Sequence, residues 1–168
     1  LYSSAASDVY KRQGGAARAI AVELALAKVA DITIVNRSAE HGQALATLLR
    51  DKLPETQRIS AQYVEWVKDY DVPAGTDVLI NATPIGLFDG EARVPVKLDS
   101  LRPPLVVADV IFSPSDTRLL REAKSRGCTI VDGLGMLVNQ AVIGFRLWTD
   151  ITPDAALMRE ALEEFLSV

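Results

Sequence analysis

Residues 14–38 read GGAARAIAVELALAKVADITIVNRS, and this stretch decides the fold. Two glycines open an alanine-rich helical pattern, which leads into the continuous apolar run 32–35. Glycines have no Cβ, so backbone amides can close on a pyrophosphate, and a helix start supplies free N–H groups and a positive dipole end. We therefore predict the turn, helix and strand of a dinucleotide-binding βαβ unit.

The residues that follow this strand indicate which dinucleotide is bound. About twenty residues after the glycines, a carboxylate would favour the 2′-hydroxyl of NAD. Here Asn36, Arg37 and Ser38 supply a neutral side chain, a cation and a hydroxyl, a set that suits a 2′-phosphate. The sequence therefore predicts NADP as the cofactor. The alternative is that Arg37 is an ordinary exposed cation at a strand end.

Length and composition restrict the class of protein. The 168 residues are enough for one domain with a sizeable core, and no apolar run is long enough to span a bilayer. The net charge of −4 is spread over 18 basic and 22 acidic residues, which argues against nucleic-acid or membrane-surface partners. One cysteine excludes an intrachain disulfide, and one histidine leaves no set of metal ligands. We expect a soluble cytoplasmic protein whose partner is a small molecule.

Residues 1–13, LYSSAASDVYKRQ, do not fit the fold that follows them. A glycine-rich turn of this kind is normally preceded by a buried parallel strand rich in Val, Ile and Leu. Here only Val9 and Tyr10 suggest a strand, and the apolar region of a signal peptide is missing. We expect a non-native, linker-like leader joined to an NADP-binding domain at 14–168, whose first strand is truncated or replaced.

Strands and helices alternate along the rest of the chain. Strands are predicted at 32–35, 59–66, 77–82, 105–109 and 128–131, and helices at 16–28, from Ser38, from 113–116 to Gly127, at 134–148 and from 152–154 onward. This alternation predicts a Rossmann-like, doubly wound α/β fold with a mostly parallel sheet and flanking helices, without a second domain. Ligands of such sheets bind outside the carboxyl ends of the strands.

The segment 132–140, DGLGMLVNQ, is more informative than the glycine turn. Asp132 is a predicted helix cap, and Gly133 would either bring the backbone close to a ligand or form a turn. Met136 and Gln140 are four residues apart and share a helix face, and Gln140 either reaches solvent or pairs with a buried group. A stripe of four apolar residues on a neighbouring face is interpreted as core: Leu137, Ala141, Phe145 and Trp148.

Together these motifs resemble the cofactor-binding half of shikimate dehydrogenase and its quinate/shikimate dehydrogenase relatives. The matching segments are 14–16 with 18–19, 36–38, the NATPIG segment at 81–86, and 132–137 with Gln140. The resemblance covers residues 14–168, and its most specific part is 132–140. It implies an NADP-dependent oxidoreductase that converts 3-dehydroshikimate and NADPH to shikimate and NADP in chorismate and aromatic amino acid biosynthesis.

The resemblance also implies roles for individual positions. The pyrophosphate loop matches Gly14, Gly15 and Ala16, and the 2′-phosphate segment matches Asn36, Arg37 and Ser38. His41 lies where the family often has a second basic residue for that phosphate, although it is equally typical of a solvated helix position. The nicotinamide side matches Thr83, Val110, Gly133 and Met136. Gln140 matches a glutamine that hydrogen-bonds a substrate hydroxyl.

Two positions depart from the family pattern. Arg12 stands where the family has the first glycine of its loop, and Phe112 replaces a substrate-contacting tyrosine, which favours a shikimate dehydrogenase-like paralogue. In the family, a lysine and an aspartate in an N-terminal substrate domain carry proton transfer. We expect that domain to lie outside these 168 residues, assign no catalytic residue, and expect the chain alone to be inactive.

Two other classes of function share some of these motifs. An NADP-dependent dehydrogenase of related fold, of the methylene-tetrahydrofolate dehydrogenase or glutamyl-tRNA reductase type, would share the glycine turn and the segment 36–38. It would not be expected to carry the segment 132–140. A non-catalytic NADP-sensing module is the remaining alternative.

Overall fold

A computed structural model describes residues 15–55 and 58–166. The predicted leader, the first strand and Gly14 lie outside these residues. The elements of the described ranges are α1 (Gly15–Leu26), β1 (Asp31–Asn36), α2 (Ala39–Thr47, continued by a π-helical turn at Leu48–Lys52), β2 (Ser60–Glu65), β3 (Val78–Asn81), a 3₁₀ turn (Leu98–Ser100), β4 (Val106–Asp109), α3 (Arg118–Ser125), β5 (Thr129–Val131), α4 (Gly133–Thr149) and α5 (Ala155–Leu166).

The chain divides into two compact units, with the boundary between Tyr70 and Asp71. In the first unit, β1 and β2 pair in parallel, from Asp31 opposite Ser60 to Asn36 opposite Glu65. In the second unit, β4 lies between β3 and β5, and both of its pairings are parallel. The predicted α/β class, with parallel strands and flanking helices, is confirmed.

The core of the first unit is built mainly from alanines. Its buried members are Ala21, Ala25, Ala46, Leu49 and Ala61. The sequence placed Ile20, Leu24 and Val29 toward the sheet, but these are only half-buried, and α1 buries its alanine face instead. Alanine allows a helix backbone to approach its neighbours closely, and Val22 of α1 packs against this cluster.

The helix α3 begins later than the sequence predicted. Its N-cap is Thr117, whose hydroxyl accepts a hydrogen bond from the Leu120 amide at 3.4 Å. The preceding residues 113–116 form part of a loop instead, because the Ser113 carbonyl accepts from the Phe88 amide at 2.8 Å. A tertiary contact therefore holds the residues that looked like a helix start.

The apolar stripe on α4 is not core along its whole length, so that interpretation is wrong for its second half. Leu137 is half-buried, but Phe145 is 39% exposed and Trp148 is 87% exposed. A helix of 17 residues is about 25 Å long. Its buried members, Gly133, Leu134 and Val138, all lie in its first two turns. The buried side chains of α4 therefore lie in its N-terminal half, and its C-terminal half is largely exposed.

None of the helices in the described ranges is long and apolar enough to cross a bilayer.

The start of α4 is fixed to α5 by an ion pair. Asp132 caps α4 by accepting from the Gly135 amide at 3.0 Å, as predicted. Arg159 Nη2 on α5 donates to Asp132 Oδ2 at 2.7 Å, and its Nε donates to Glu163 at 2.7 Å. The hydrogen bond from Arg159 is the main reason that the pKa of Asp132 lies below its usual range. Charge thus links the two helices.

This ion pair predicts acid-sensitive docking of α5. Because the pKa of Asp132 is lower in the folded state, its stabilisation is complete above the unfolded value of about 3.9 and is lost as pH falls through the folded value. Both partners are partly exposed, so we expect Arg159→Gln to lower the free energy of unfolding at pH 7 by no more than about 1 kcal/mol. Urea denaturation at pH 7 and near pH 2 measures this. Glu163→Gln is the control, because it removes only the more exposed Arg159–Glu163 pair. If Arg159→Gln lowered the free energy of unfolding equally at both pH values, packing rather than charge would be the cause.

Candidate functional site

The first predicted site segment, 36–38, connects β1 to α2. The Asn36 side-chain oxygen accepts from the Ser38 amide at 2.9 Å, which closes the turn. The Asn36 carbonyl accepts from the Tyr63 hydroxyl at 3.1 Å and from the Trp66 amide at 3.0 Å. The segment is therefore held from β2 as well as from its own side chains.

Tyr63 is a supporting residue that the sequence analysis missed. Its ring lies against α2 at Gly42, where an added Cβ would overlap the ring atoms. A glycine inside a helix is disfavoured by about 1 kcal/mol relative to alanine. The close contact with the Tyr63 ring explains why α2 nevertheless has a glycine at position 42. The interior glycine was the signal that could have indicated a large side chain packed on this helix.

The N-terminus of α2 has the donors that a phosphate monoester needs. Ser38 is the N-cap and accepts from the His41 amide at 3.3 Å, so its own hydrogen can still be donated. Arg37 is exposed and makes no ion pair with any described residue. His41 is exposed in the first turn, where Glu40 adds one opposing charge. A cation, a hydroxyl and unsatisfied amides at the positive end of a helix are chemically suited to binding an anion.

The pyrophosphate positions are described only in part. Gly15 and Ala16 are exposed at the start of α1, and Gly14 lies outside the described residues. A Cβ on Gly15 would meet nothing within 4 Å, so packing against the described residues does not require this glycine.

The second unit carries a buried polar network at the carboxyl ends of β3 and β4. Asn81 and Asp109 end these strands as register partners and are only 4% and 2% exposed. The Asn81 side-chain amide donates to Asp109 Oδ1 at 3.0 Å and to the Ile85 carbonyl at 3.2 Å. Its oxygen accepts from the Thr83 hydroxyl at 2.7 Å. The loop after β3 is therefore tied to the end of β4.

Both oxygens of the Asp109 carboxylate accept hydrogen bonds. Oδ1 also accepts from the Ile111 amide at 3.0 Å, and Oδ2 accepts from the Thr117 hydroxyl at 2.8 Å. Burial raises the pKa of Asp109, and these hydrogen bonds oppose that effect. No ion pair joins it to a cation of the described ranges. The sequence analysis noted the polar strand ends but did not single out Asp109.

Gly133 brings the start of α4 against the loop that follows β4. An added Cβ would lie 2.5 Å from the Val110 carbonyl carbon and oxygen and would overlap the Ile111 oxygen. The close approach predicted for this glycine is therefore made to the chain itself. The Val110 amide donates to the Asn81 carbonyl at 3.0 Å, so the loops of Thr83, Val110 and Gly133 meet at one edge of the sheet.

The other predicted positions differ in burial. Met136 is half-buried one turn into α4, and Phe112 is half-buried in the loop after β4. Gln140 is exposed.

Two of the described residues at this edge carry carboxylates, Asp109 and Asp132. Both oxygens of Asp109 and of Asp132 already accept hydrogen bonds. Across the described ranges, no group of three or more His, Cys, Asp or Glu side chains could hold a metal ion.

Comparisons with known proteins relate this chain to the shikimate dehydrogenases. Residues 133–163 match the family model of the shikimate 5′-dehydrogenase C-terminal domain. The shikimate dehydrogenase (NADP⁺) of Methanocaldococcus jannaschii is 40% identical over 150 residues, which cover 89% of this chain and 51% of that protein. The chain therefore spans about half the length of the curated relatives that it matches.

Two solved structures share the fold. A ligand-free 5-ketofructose reductase of Gluconobacter sp. strain CHM43 has a TM-score of 0.85 at 52% identity, covering 91% of this chain and 54% of that one. A shikimate dehydrogenase in complex with NADP⁺ has a TM-score of 0.78 at 38% identity, covering 92% and 52%. By sequence and by fold, the chain is similar to the C-terminal half of longer shikimate dehydrogenases.

Proposed function

We propose that this chain is the NADP(H)-binding half of an oxidoreductase of the shikimate dehydrogenase family. The segment 36–38 would hold the adenosine 2′-phosphate, with His41 beside it, and the exposed start of α1 would face the pyrophosphate. The observation that carries this proposal is Arg37, exposed and without an ion pair to any described residue, next to the capped N-terminus of α2. A guanidinium with a hydroxyl and helix amides suits a phosphate dianion.

The edge of the second unit would receive the nicotinamide side. Four residues are proposed to line it: Thr83, Val110, Gly133 and Met136. These residues would hold and orient the nicotinamide, which would supply or accept a hydride when bound, and Gln140 would face a substrate hydroxyl. The proton-transfer residues are proposed to lie outside the chain, in the half that its relatives carry in addition. We place the whole protein in the cytoplasm, with small-molecule partners only.

Titration of the chain with dinucleotides tests cofactor binding. We expect calorimetry to give affinity for NADPH and for 2′,5′-ADP, which carries the adenosine and its 2′-phosphate, and much weaker binding of NADH. Equal affinities for NADPH and NADH would contradict the proposed role of segment 36–38. No binding of NADPH would contradict the proposed function itself.

The substrate that we propose first is 3-dehydroshikimate, reduced to shikimate. A second candidate is a keto sugar of the 5-ketofructose class, and two observations favour it. The reductase named for that substrate is 52% identical to this chain. In addition, Phe112 lacks the hydroxyl that many shikimate dehydrogenases would offer here.

Chimeric enzymes distinguish the two substrates. Residues 14–168 would replace the matching half of the Methanocaldococcus shikimate dehydrogenase and, separately, of the Gluconobacter reductase. We expect the first chimera to oxidise shikimate with NADP⁺, and Phe112→Tyr to change its kcat/KM by less than about threefold. A gain of about fivefold or more, equivalent to one restored hydrogen bond of about 1 kcal/mol, would favour the keto sugar. Activity restored only in the second chimera would favour it as well.

A further inference from the structure

Asp109 joins three segments of the second unit through one carboxylate. Oδ1 accepts from the Asn81 side chain at 3.0 Å and from the Ile111 amide at 3.0 Å, and both donors belong to the proposed nicotinamide edge. Oδ2 accepts from the Thr117 hydroxyl at 2.8 Å, which belongs to the start of α3. Oδ1 therefore holds the loops of the proposed nicotinamide edge, and Oδ2 holds the start of α3.

The Oδ1 side reaches both loops that the proposed site uses. Asn81 also bonds Thr83, whose hydroxyl donates to Asn81 Oδ1 at 2.7 Å. The same hydroxyl accepts from the Ile85 amide at 3.2 Å. The Ile111 amide fixes the loop on which Gly133 rests, because the space for Gly133 is bounded by the Val110 and Ile111 carbonyl groups. Moving this carboxylate would move both loops.

We propose that Asp109 is the positioning residue of the nicotinamide edge, setting where Thr83 and Val110 stand relative to the ring. The proposal rests on the function proposed above. A carboxylate that is 2% exposed and has no cation beside it among the described residues is expensive to bury. A fully satisfied buried network of this kind rigidifies the groups that it touches. An apolar side chain would fill the same space but would hold neither loop.

Three variants of the chain separate positioning from general stability. Asp109→Ala releases both loops, and Asp109→Asn keeps an oxygen for Asn81 and Ile111. Thr117→Val is the matched control, because it removes only the contact to α3 and the helix cap. Asp109→Ser, which leaves room for a water in place of the lost oxygens, gives a milder comparison if the alanine variant does not fold. Each is titrated with NADPH and with 2′,5′-ADP.

We expect Asp109→Ala to weaken NADPH binding about tenfold or more and 2′,5′-ADP binding less than twofold, with Asp109→Ser intermediate. Asp109→Asn should restore NADPH affinity to within about threefold of wild type, and Thr117→Val should leave it unchanged despite its lower stability. Unchanged NADPH affinity in Asp109→Ala, or in Asp109→Ser if only that variant folds, would overturn the positioning role. An equal loss of both ligands, or the same loss in Thr117→Val, would also overturn it. A wild-type chain that binds neither ligand overturns the proposed function and this inference with it.

Discussion

Arg37→Ala is expected to weaken NADPH binding by about 10- to 100-fold and to leave NADH binding within about twofold. Hydrogen bonds between a guanidinium and a phosphate contribute about 1.5–3 kcal/mol, which corresponds to this range of affinity. NADH lacks the 2′-phosphate, so the loss should be confined to NADPH and 2′,5′-ADP. Calorimetric titration of each ligand measures the effect.

A second exposed arginine provides the control for Arg37. Arg102 lies in the other unit, outside every proposed site segment, and Arg102→Ala removes the same charge from the chain. It should leave both affinities unchanged, because long-range charge effects are screened at physiological salt. If Arg37→Ala weakened NADPH and NADH equally, the guanidinium would not contact the 2′-phosphate.

Gly133→Ala is expected to destabilise the second unit by about 3 kcal/mol or more. Overpacking a core usually costs about 1–3 kcal/mol. Here the added Cβ would meet the backbone of Val110 and Ile111, which cannot rotate away as a side chain can. Urea denaturation followed by circular dichroism measures the loss.

Gly135→Ala is the matched control for Gly133. It lies two residues along the same helix, where a Cβ would be 3.7 Å from Arg159 Nη1 and 3.9 Å from Asp132 Oδ1, both ordinary contacts. Alanine is the better helix former, so this variant should be neutral or stabilised by up to about 1 kcal/mol. Equal destabilisation of the two variants would mean that the contact with the β4 loop is not the cause.

Local patterns were enough to predict most of the secondary structure. The run 32–35 lies within β1, and the capping roles of Ser38 and Asp132 are confirmed. These features depend on residues that are close in the chain, namely apolar periodicity and a side-chain oxygen facing its own helix amides. The resemblance to shikimate dehydrogenases could be recognised for the same reason, because the motifs that carry it are short and contiguous.

The contacts that support the site could not be predicted in this way, because they join distant parts of the chain. Tyr63 reaches the Asn36 carbonyl across 27 positions, and Asn81 reaches Asp109 across 28. The exposure of Trp148 could not be predicted either. Its helical spacing is typical of core, but burial depends on whether another element covers that face, and the sequence of one helix does not contain that information.

Each unit of the protein contains one tryptophan, and the two have very different surroundings. Trp148 is already 87% in contact with water, so its emission should barely change when the second unit unfolds. Trp66 is half-buried, and its amide is bonded to the Asn36 carbonyl. Changes in tryptophan fluorescence should therefore report mainly on the first unit, including changes beside residues 36–38. They should report little on the second unit.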